Sequence, residues 1–270
     1  MDIQQSAFVL HSRPYKETSA LVTFFTQEQG KVTGVVRGVR GGRKSTSQKS
    51  AAIQPFQKLL IQWREKPQQS NDLVSIREFE ALPVVFPLQS DANICGLYLN
   101  ELLYRLLFPR VATASLFNDY QQALYGLLNV SSNRSNQAWT LRQFETRLLD
   151  EMGQPVMLRF DIEGQAVREN QMYRYYLQKG LVAEQGNMLS SDETPNRFNA
   201  HDLQMTDSEG FFNDQHYSSG QVLRVSGQSL LALAEDNYCE ACLPELKTLF
   251  RYLLADVLGN KPIKTRELFR

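Results

Sequence analysis

Residues 21–36 read Leu-Val-Thr-Phe-Phe-Thr-Gln-Glu-Gln-Gly-Lys-Val-Thr-Gly-Val-Val, and this stretch decides the fold class. It holds two short runs rich in Val, Phe and Thr, Leu21–Phe25 and Lys31–Val36. Gln29-Gly30 between them supplies the turn, so the stretch reads as two neighbouring strands. Working outward, Ala7–His11 precedes it across Ser12-Arg13-Pro14. Phe56–Trp63 and Leu73–Phe79 follow it, parted near Lys66-Pro67. Five short strands within the first 80 residues predict a small closed sheet.

An oligonucleotide-binding (OB) barrel fits that length and strand count, and an SH3-like barrel fits nearly as well, so the pattern leaves both open. After Pro87 the periodicity becomes helical. Gly96–Phe108 is apolar almost all round, carries Glu101 and Arg105 as an i, i+4 pair, and stops at Pro109. Leu116–Leu128 and Leu141–Met152 each place an apolar stripe at helical spacing. A further helix is opened by Pro244 and closed by Gly259. The predicted class is therefore α+β: a five-stranded OB barrel over residues 1–82, then an all-α helical domain over 83–270. That second domain carries a polar, irregular excursion at about 155–220, with its most loop-like part from Glu184 to Tyr217.

The 270 residues are 42 % hydrophobic, which suffices for a core. No apolar run is long enough to span a bilayer, and the first residues lack a secretory plan, so the expected compartment is the cytoplasm. Three cysteines, Cys95, Cys239 and Cys242, are too few for a disulfide framework. The formal net charge is zero, yet charge is sorted along the chain. The first 80 residues hold twelve basic side chains against seven acidic ones, and between Glu28 and Glu65 there are eight basic residues and no acid. Sorted charge of this kind points to an anionic partner.

Within that interval, Arg37-Gly38-Val39-Arg40-Gly41-Gly42-Arg43-Lys44 and then Lys49 follow directly on a strand. Guanidinium groups, ammonium groups and backbone N–H groups on a glycine-rich loop suit phosphates, and OB barrels carry their ligands on such loops. Arg13, Lys16 and Lys31 add charge nearby. Stacking on bases would need aromatics. Because alternation sends at least half of a strand's side chains inward, Phe24, Phe25, Phe56 and Trp63 are each read as core, whereas Tyr15, in a Pro-containing loop beside Arg13 and Lys16, is the candidate to face a ligand.

Catalytic patterns are missing. There is no GxSxG, HExxH, P-loop or GxGxxG, and the histidines His11, His201 and His216 are scattered. Glu145, Asp150 and Glu151 read as solvated helix surface. Cys239-Glu240-Ala241-Cys242 has zinc-knuckle spacing but lacks a second pair of ligands, so the thiols are expected to be incidental and no metal or cofactor is expected.

Taken in order, Ala7-Phe8-Val9-Leu10-His11-Ser12-Arg13-Pro14-Tyr15-Lys16-Glu17-Thr18-Ser19, Gly30-Lys31-Val32, Arg37-Gly38-Val39-Arg40, Gln54-Pro55-Phe56, Tyr98-Leu99-Asn100-Glu101-Leu102-Leu103 and Gly259–Phe269 resemble the bacterial RecO proteins of recombinational repair. The resemblance runs end to end except around residues 155–220. It implies an OB barrel plus a helical domain without enzymatic activity, acting in the cytoplasm at the nucleoid. Such a protein binds single- and double-stranded DNA, anneals complementary strands, binds RecR and the C-terminal tail of the single-strand-binding protein, and helps RecA load. Many relatives carry a four-cysteine zinc module; this chain has no cysteine from Asp150 to Tyr238, so none is expected. For the tail, the resemblance points to the helix containing Arg142, whose guanidinium suits a terminal carboxylate. Lys261, Lys264 and Arg266 are candidates for a second DNA contact. The alternative is a protein adaptor, in which the helical domain binds partner tails and the barrel touches no DNA.

Overall fold

The computed structural model describes residues 2–40, 49–65, 73–84, 86–129, 133–177, 179–188, 222–259 and 261–269, with backbone alone for 185–188 and 269. The chain divides into two compact units, Met1–Gln137 and Ala138–Arg270. The barrel strands end at Ala81, and their unit also takes in the first two long helices.

In the first unit, β1 (Asp2–Tyr15), β2 (Ser19–Thr26), β3 (Gly30–Val36), β4 (Lys58–Arg64) and β5 (Leu73–Ala81) close in the order β1-β2-β3-β5-β4. Every pair is antiparallel except β3–β5, which is parallel. That crossover turns a meander into the OB arrangement and settles the question the strand count left open. The polar start of β1 hides its length from the sequence. Asp2–Ser6 are strand because they pair with β4, and Asp2 Oδ1 lies 3.1 Å from Arg64 Nε. Inside the barrel Ala7, Val9, Val22, Phe24, Val32, Leu59, Ile61 and Trp63 are all within 1 % of fully buried. Each large side chain so enclosed contributes about 1.5–3 kcal/mol, and as the sequence reading expected, Phe24, Phe25, Phe56 and Trp63 are buried.

A β-bulge in β1 sets which side chains leave the barrel. Val9 pairs with Phe24, but His11 pairs with Thr23, so Leu10 is the extra residue. Strict alternation would send His11, Arg13 and Tyr15 inward with Ala7 and Val9. The bulge reverses the parity. Ser12 and Pro14 now oppose the core residues Val22 and Ala20, and His11, Arg13 and Tyr15 turn outward.

Helix α1 (Ser90–Leu106) pins that bulge. Its Asn100, 3 % exposed, donates from Nδ2 to the Leu10 carbonyl at 3.0 Å and to the Val9 carbonyl at 3.5 Å. Tyr120 of α2 (Ala114–Asn129) donates in turn to Asn100 Oδ1. Phe8 and Phe25 face out of the barrel and stack against Phe117 and Tyr120 with ring centroids 5.1–6.1 Å apart. The connection after α1 is strapped to the β2–β3 turn: Arg110 N donates to the Lys31 carbonyl at 3.0 Å, and Gly30, with φ +59°, lets the Val111 carbonyl lie where a Cβ would stand.

The second unit holds residues 138–151 of α3 (Arg134–Glu151), β6 (Gln171–Tyr176), β7 (Gly180–Met188), β8 (Leu223–Ser226), α4 (Gly227–Ala234), α5 (Leu243–Leu258) and a 3₁₀ turn (Lys264–Phe269). The sheet order is β7-β6-β8. Residues 171–188, expected within a polar excursion, thus form two strands. Their outward charges mask the pattern: Arg174 of β6 and Arg224 of β8 both bond Glu184 of β7, while Met172, Tyr173 and Tyr175 are buried. Residues 189–221 lie outside the described residues. Cys239 and Cys242, expected as incidental thiols, are joined in a disulfide. The turn that precedes α5 brings them together, since Cys242 N donates to the Cys239 carbonyl and their Cα atoms stand 5.4 Å apart. No helix among the described residues is long and apolar enough to cross a membrane.

Candidate nucleic-acid interface

Outward residues of β1, β2 and β3 form one continuous face. Cross-strand register aligns Tyr15 with Ser19, Arg13 with Leu21 and Val35, His11 with Thr23 and Thr33, and Phe25 with Lys31. Three of the sequence candidates, Arg13, Tyr15 and Lys31, therefore share a surface.

The chain leaving β3 folds back on the β1–β2 turn. Val39 N and Arg40 N both donate to the Thr18 carbonyl, at 3.0 and 3.1 Å, and Arg40 Nη1 reaches the Lys16 carbonyl at 3.5 Å. Arg37, Arg40, Lys16 and Arg13 are consequently exposed together at one end of the barrel. Lys16 Nζ stands 5.4 Å from the centroid of the half-buried Tyr15 ring. Gly38 (φ +67°) and Lys16 (φ +53°) take left-handed conformations in these turns. Among the described residues none of Arg13, Lys16, Arg37 and Arg40 forms an ion pair within 4 Å. Lys49 is exposed on a short helical turn at residues 49–52, and Arg43 and Lys44 lie outside the described residues.

Charge alone overstated the basic interval. Lys58 packs over the Phe8 and Phe117 rings and bonds Gln121 Oε1 at 2.6 Å, and burial lowers its pKa. Arg64 is paired with Asp2. These two cations serve the fold. Lys31 is intermediate: its Nζ donates to the Tyr104 carbonyl at 2.8 Å and stands 5.8 Å from the Tyr104 ring, and burial lowers its pKa. Tyr104, 46 % exposed, is not distinguished in the sequence, because it sits in a helix that is apolar almost all round.

In the second unit Arg142 is buried. Its Nη2 lies 2.9 Å from Glu145 Oε1, and its guanidinium stands 5.3 Å from the Phe250 ring. Glu145 is thus no surface carboxylate; it is fully buried and turns toward the arginine three residues earlier. Lys247 lies close by, with its pKa pushed down to about 8, first by burial and then by the positive charges of Arg251, Arg142 and Arg266. Of the C-terminal candidates, Lys261 and Lys264 are exposed and Arg266 is half-buried. No group of three His, Cys, Asp or Glu side chains among the described residues is placed to hold a metal ion.

Residues 1–83 match the family described as recombination protein O N terminal, and residues 88–198 match recombination protein O C terminal. The DNA repair protein RecO of Nitrosospira multiformis is 36 % identical over 269 residues, covering 98 % of this chain and 94 % of that protein. Its namesake from Pseudoalteromonas atlantica is 35 % identical over 268 residues, covering 99 % and 94 %, and that of Yersinia pestis 34 % identical over 272, covering 100 % and 95 %. With both halves matched in order and full-length relatives above 30 % identity, the chain belongs to the RecO family of DNA repair proteins.

Proposed function

We propose that this chain binds single- and double-stranded DNA through the outer face of β1–β2–β3 and its flanking turns, anneals complementary strands, and acts with RecR to help load RecA on DNA coated by single-strand-binding protein. The observation that carries this reading is the convergence of Arg13, Lys16, Arg37 and Arg40 on one end of an OB barrel without carboxylate partners among the described residues. Cations so placed release counterions from a phosphate backbone, and a neighbouring aromatic holds bases. The chain works by binding and not by catalysis.

The tail of the single-strand-binding protein docks, in this reading, beside Arg142. The proximity of Lys247, Arg251 and Arg266 supports it, because a terminal carboxylate entering that field meets several cations even while Arg142 keeps Glu145. Lys261, Lys264 and Arg266 supply a second DNA contact, which annealing requires if two strands are held at once.

An annealing assay over a salt series, with and without single-strand-binding protein, tests the whole. Annealing that falls steeply with salt and persists on coated strands is expected. Binding of the tail peptide with no DNA binding at low salt would replace this reading by a protein adaptor.

A further inference from the structure

The face proposed above to bind DNA does not stop at the barrel edge. At the opposite end from the Arg37–Arg40 turn it meets α1, where the Tyr104 ring lies 5.5 Å from the His11 imidazole, centroid to centroid, at an interplanar angle of 50°. Lys31 joins the two elements by donating to the Tyr104 carbonyl. Tyr104 is 46 % exposed on a helix whose Tyr98, Leu99, Leu102 and Leu103 are at most 1 % exposed, so its ring does not complete the core. A singly exposed aromatic is unremarkable in itself. This one stands beside an imidazole and an ammonium group, and Phe108, 66 % exposed, follows four residues on, past the end of α1 and next to the Lys31–Pro109 bridge.

We propose that Tyr104, with His11 beside it, is a stacking platform for a base of single-stranded DNA, and that Lys31 and Arg13 hold the adjoining phosphates. The inference rests on the DNA-binding reading of the barrel face and adds a residue from outside the barrel. Complementarity decides the occupant. Lys31 and Arg13 favour a polyanion, while the planar aromatic surface of Tyr104 beside His11 and Lys31 favours an unpaired base over a duplex, whose bases are already stacked. His11 suits the role because burial, and then the Arg13 charge, lower its pKa, which favours the uncharged ring. Glu101, three residues before Tyr104, faces Arg105 at 3.6 Å, so its charge is locally balanced.

The test compares the full chain with Tyr104→Ala and Tyr104→Phe, using fluorescence anisotropy on an oligothymidine strand, a duplex of equal length and a strand with abasic sites. Tyr104→Ala should weaken binding to the oligothymidine about 5- to 100-fold and leave the duplex within about twofold, while Tyr104→Phe retains binding. On the abasic strand the wild type and Tyr104→Ala should coincide. Equal binding of Tyr104→Ala and wild type to oligothymidine overturns the platform, as does an equal loss on all three probes. Failure of Tyr104→Phe to bind, with an unchanged melting temperature, also overturns it. A wild type that binds no DNA removes the DNA-binding reading and this one with it.

Discussion

Removing two guanidinium groups from the barrel end tests the electrostatic argument most directly. Arg37 and Arg40 are exposed, and among the described residues their loss to Ala costs the fold a single 3.5 Å side-chain bond, from Arg40 to the Lys16 carbonyl. The backbone bonds from Val39 and Arg40 to Thr18 remain, so stability should hardly move. Among the described residues, Arg13, Lys16, Lys31, Arg37 and Arg40 lie on or beside the outer face. If each neutralises one phosphate, log K against log salt should slope about −3.5 on single strands for the wild type and about −2.1 for Arg37→Ala/Arg40→Ala. Between about 50 and 200 mM salt the wild type would then lose about 100-fold in affinity and the variant about 20-fold. Anisotropy titrations of a labelled oligothymidine over that range measure both lines. Parallel lines would mean that neither arginine displaces a counterion, and a flat wild-type line would refute the assignment of this face to DNA.

Three further outcomes follow from the packing. Tyr120→Phe leaves buried Asn100 Oδ1 without its tyrosine donor and should cost about 1–3 kcal/mol, read as a melting temperature several degrees lower; an unchanged melt would show that the network is not stabilising. Gly30→Ala places a methyl 1.8 Å from the Val111 carbonyl at φ +59°, so a loss of at least about 1–3 kcal/mol is expected in urea denaturation, and wild-type stability would contradict the strap. Lys247 binds fewer protons when folded than when unfolded between about pH 8 and its ordinary 10.5, so stability should rise across that window. Lys247→Met should be more stable than wild type at pH 7 and flatten that rise; superimposable pH profiles would rule out the buried cation.

The strands were legible wherever β-branched and aromatic residues alternate, as in Leu21–Phe25 and Lys31–Val36, and so were helices with a stripe and a stop, as at Pro244 and Gly259. Non-local causes were not. Asp2–Ser6 look polar and become strand only because β4 lies alongside. Gly227–Ala234 is short, and its start is fixed by Ser226, whose hydroxyl accepts from Ser229 N. The acid-free interval showed a binding surface but not which cations face it. Lys58 lies over two rings and Arg64 beside Asp2, partners distant in sequence.

The bulge at Leu10 explains why the barrel's stability and its proposed ligand face are one problem. One inserted residue turns His11, Arg13 and Tyr15 from the core side to the outer side. An insertion of this kind leaves a carbonyl outside the regular ladder, and a buried carbonyl without a donor costs about 1–3 kcal/mol. Asn100 supplies the donor to Leu10, and Tyr120 holds Asn100 through its remaining polar atom. The helices thereby fix the parity of β1 instead of merely covering Phe8 and Phe25. Asn100 and His11-Ser12-Arg13 stand some ninety residues apart in the sequence, yet neither has its physical reason without the other. A barrel cut from α1 and α2 would lose the donor at Leu10 along with the cover over its aromatic face, which is why Met1–Gln137, and not the five strands alone, is the compact unit that presents the cationic face.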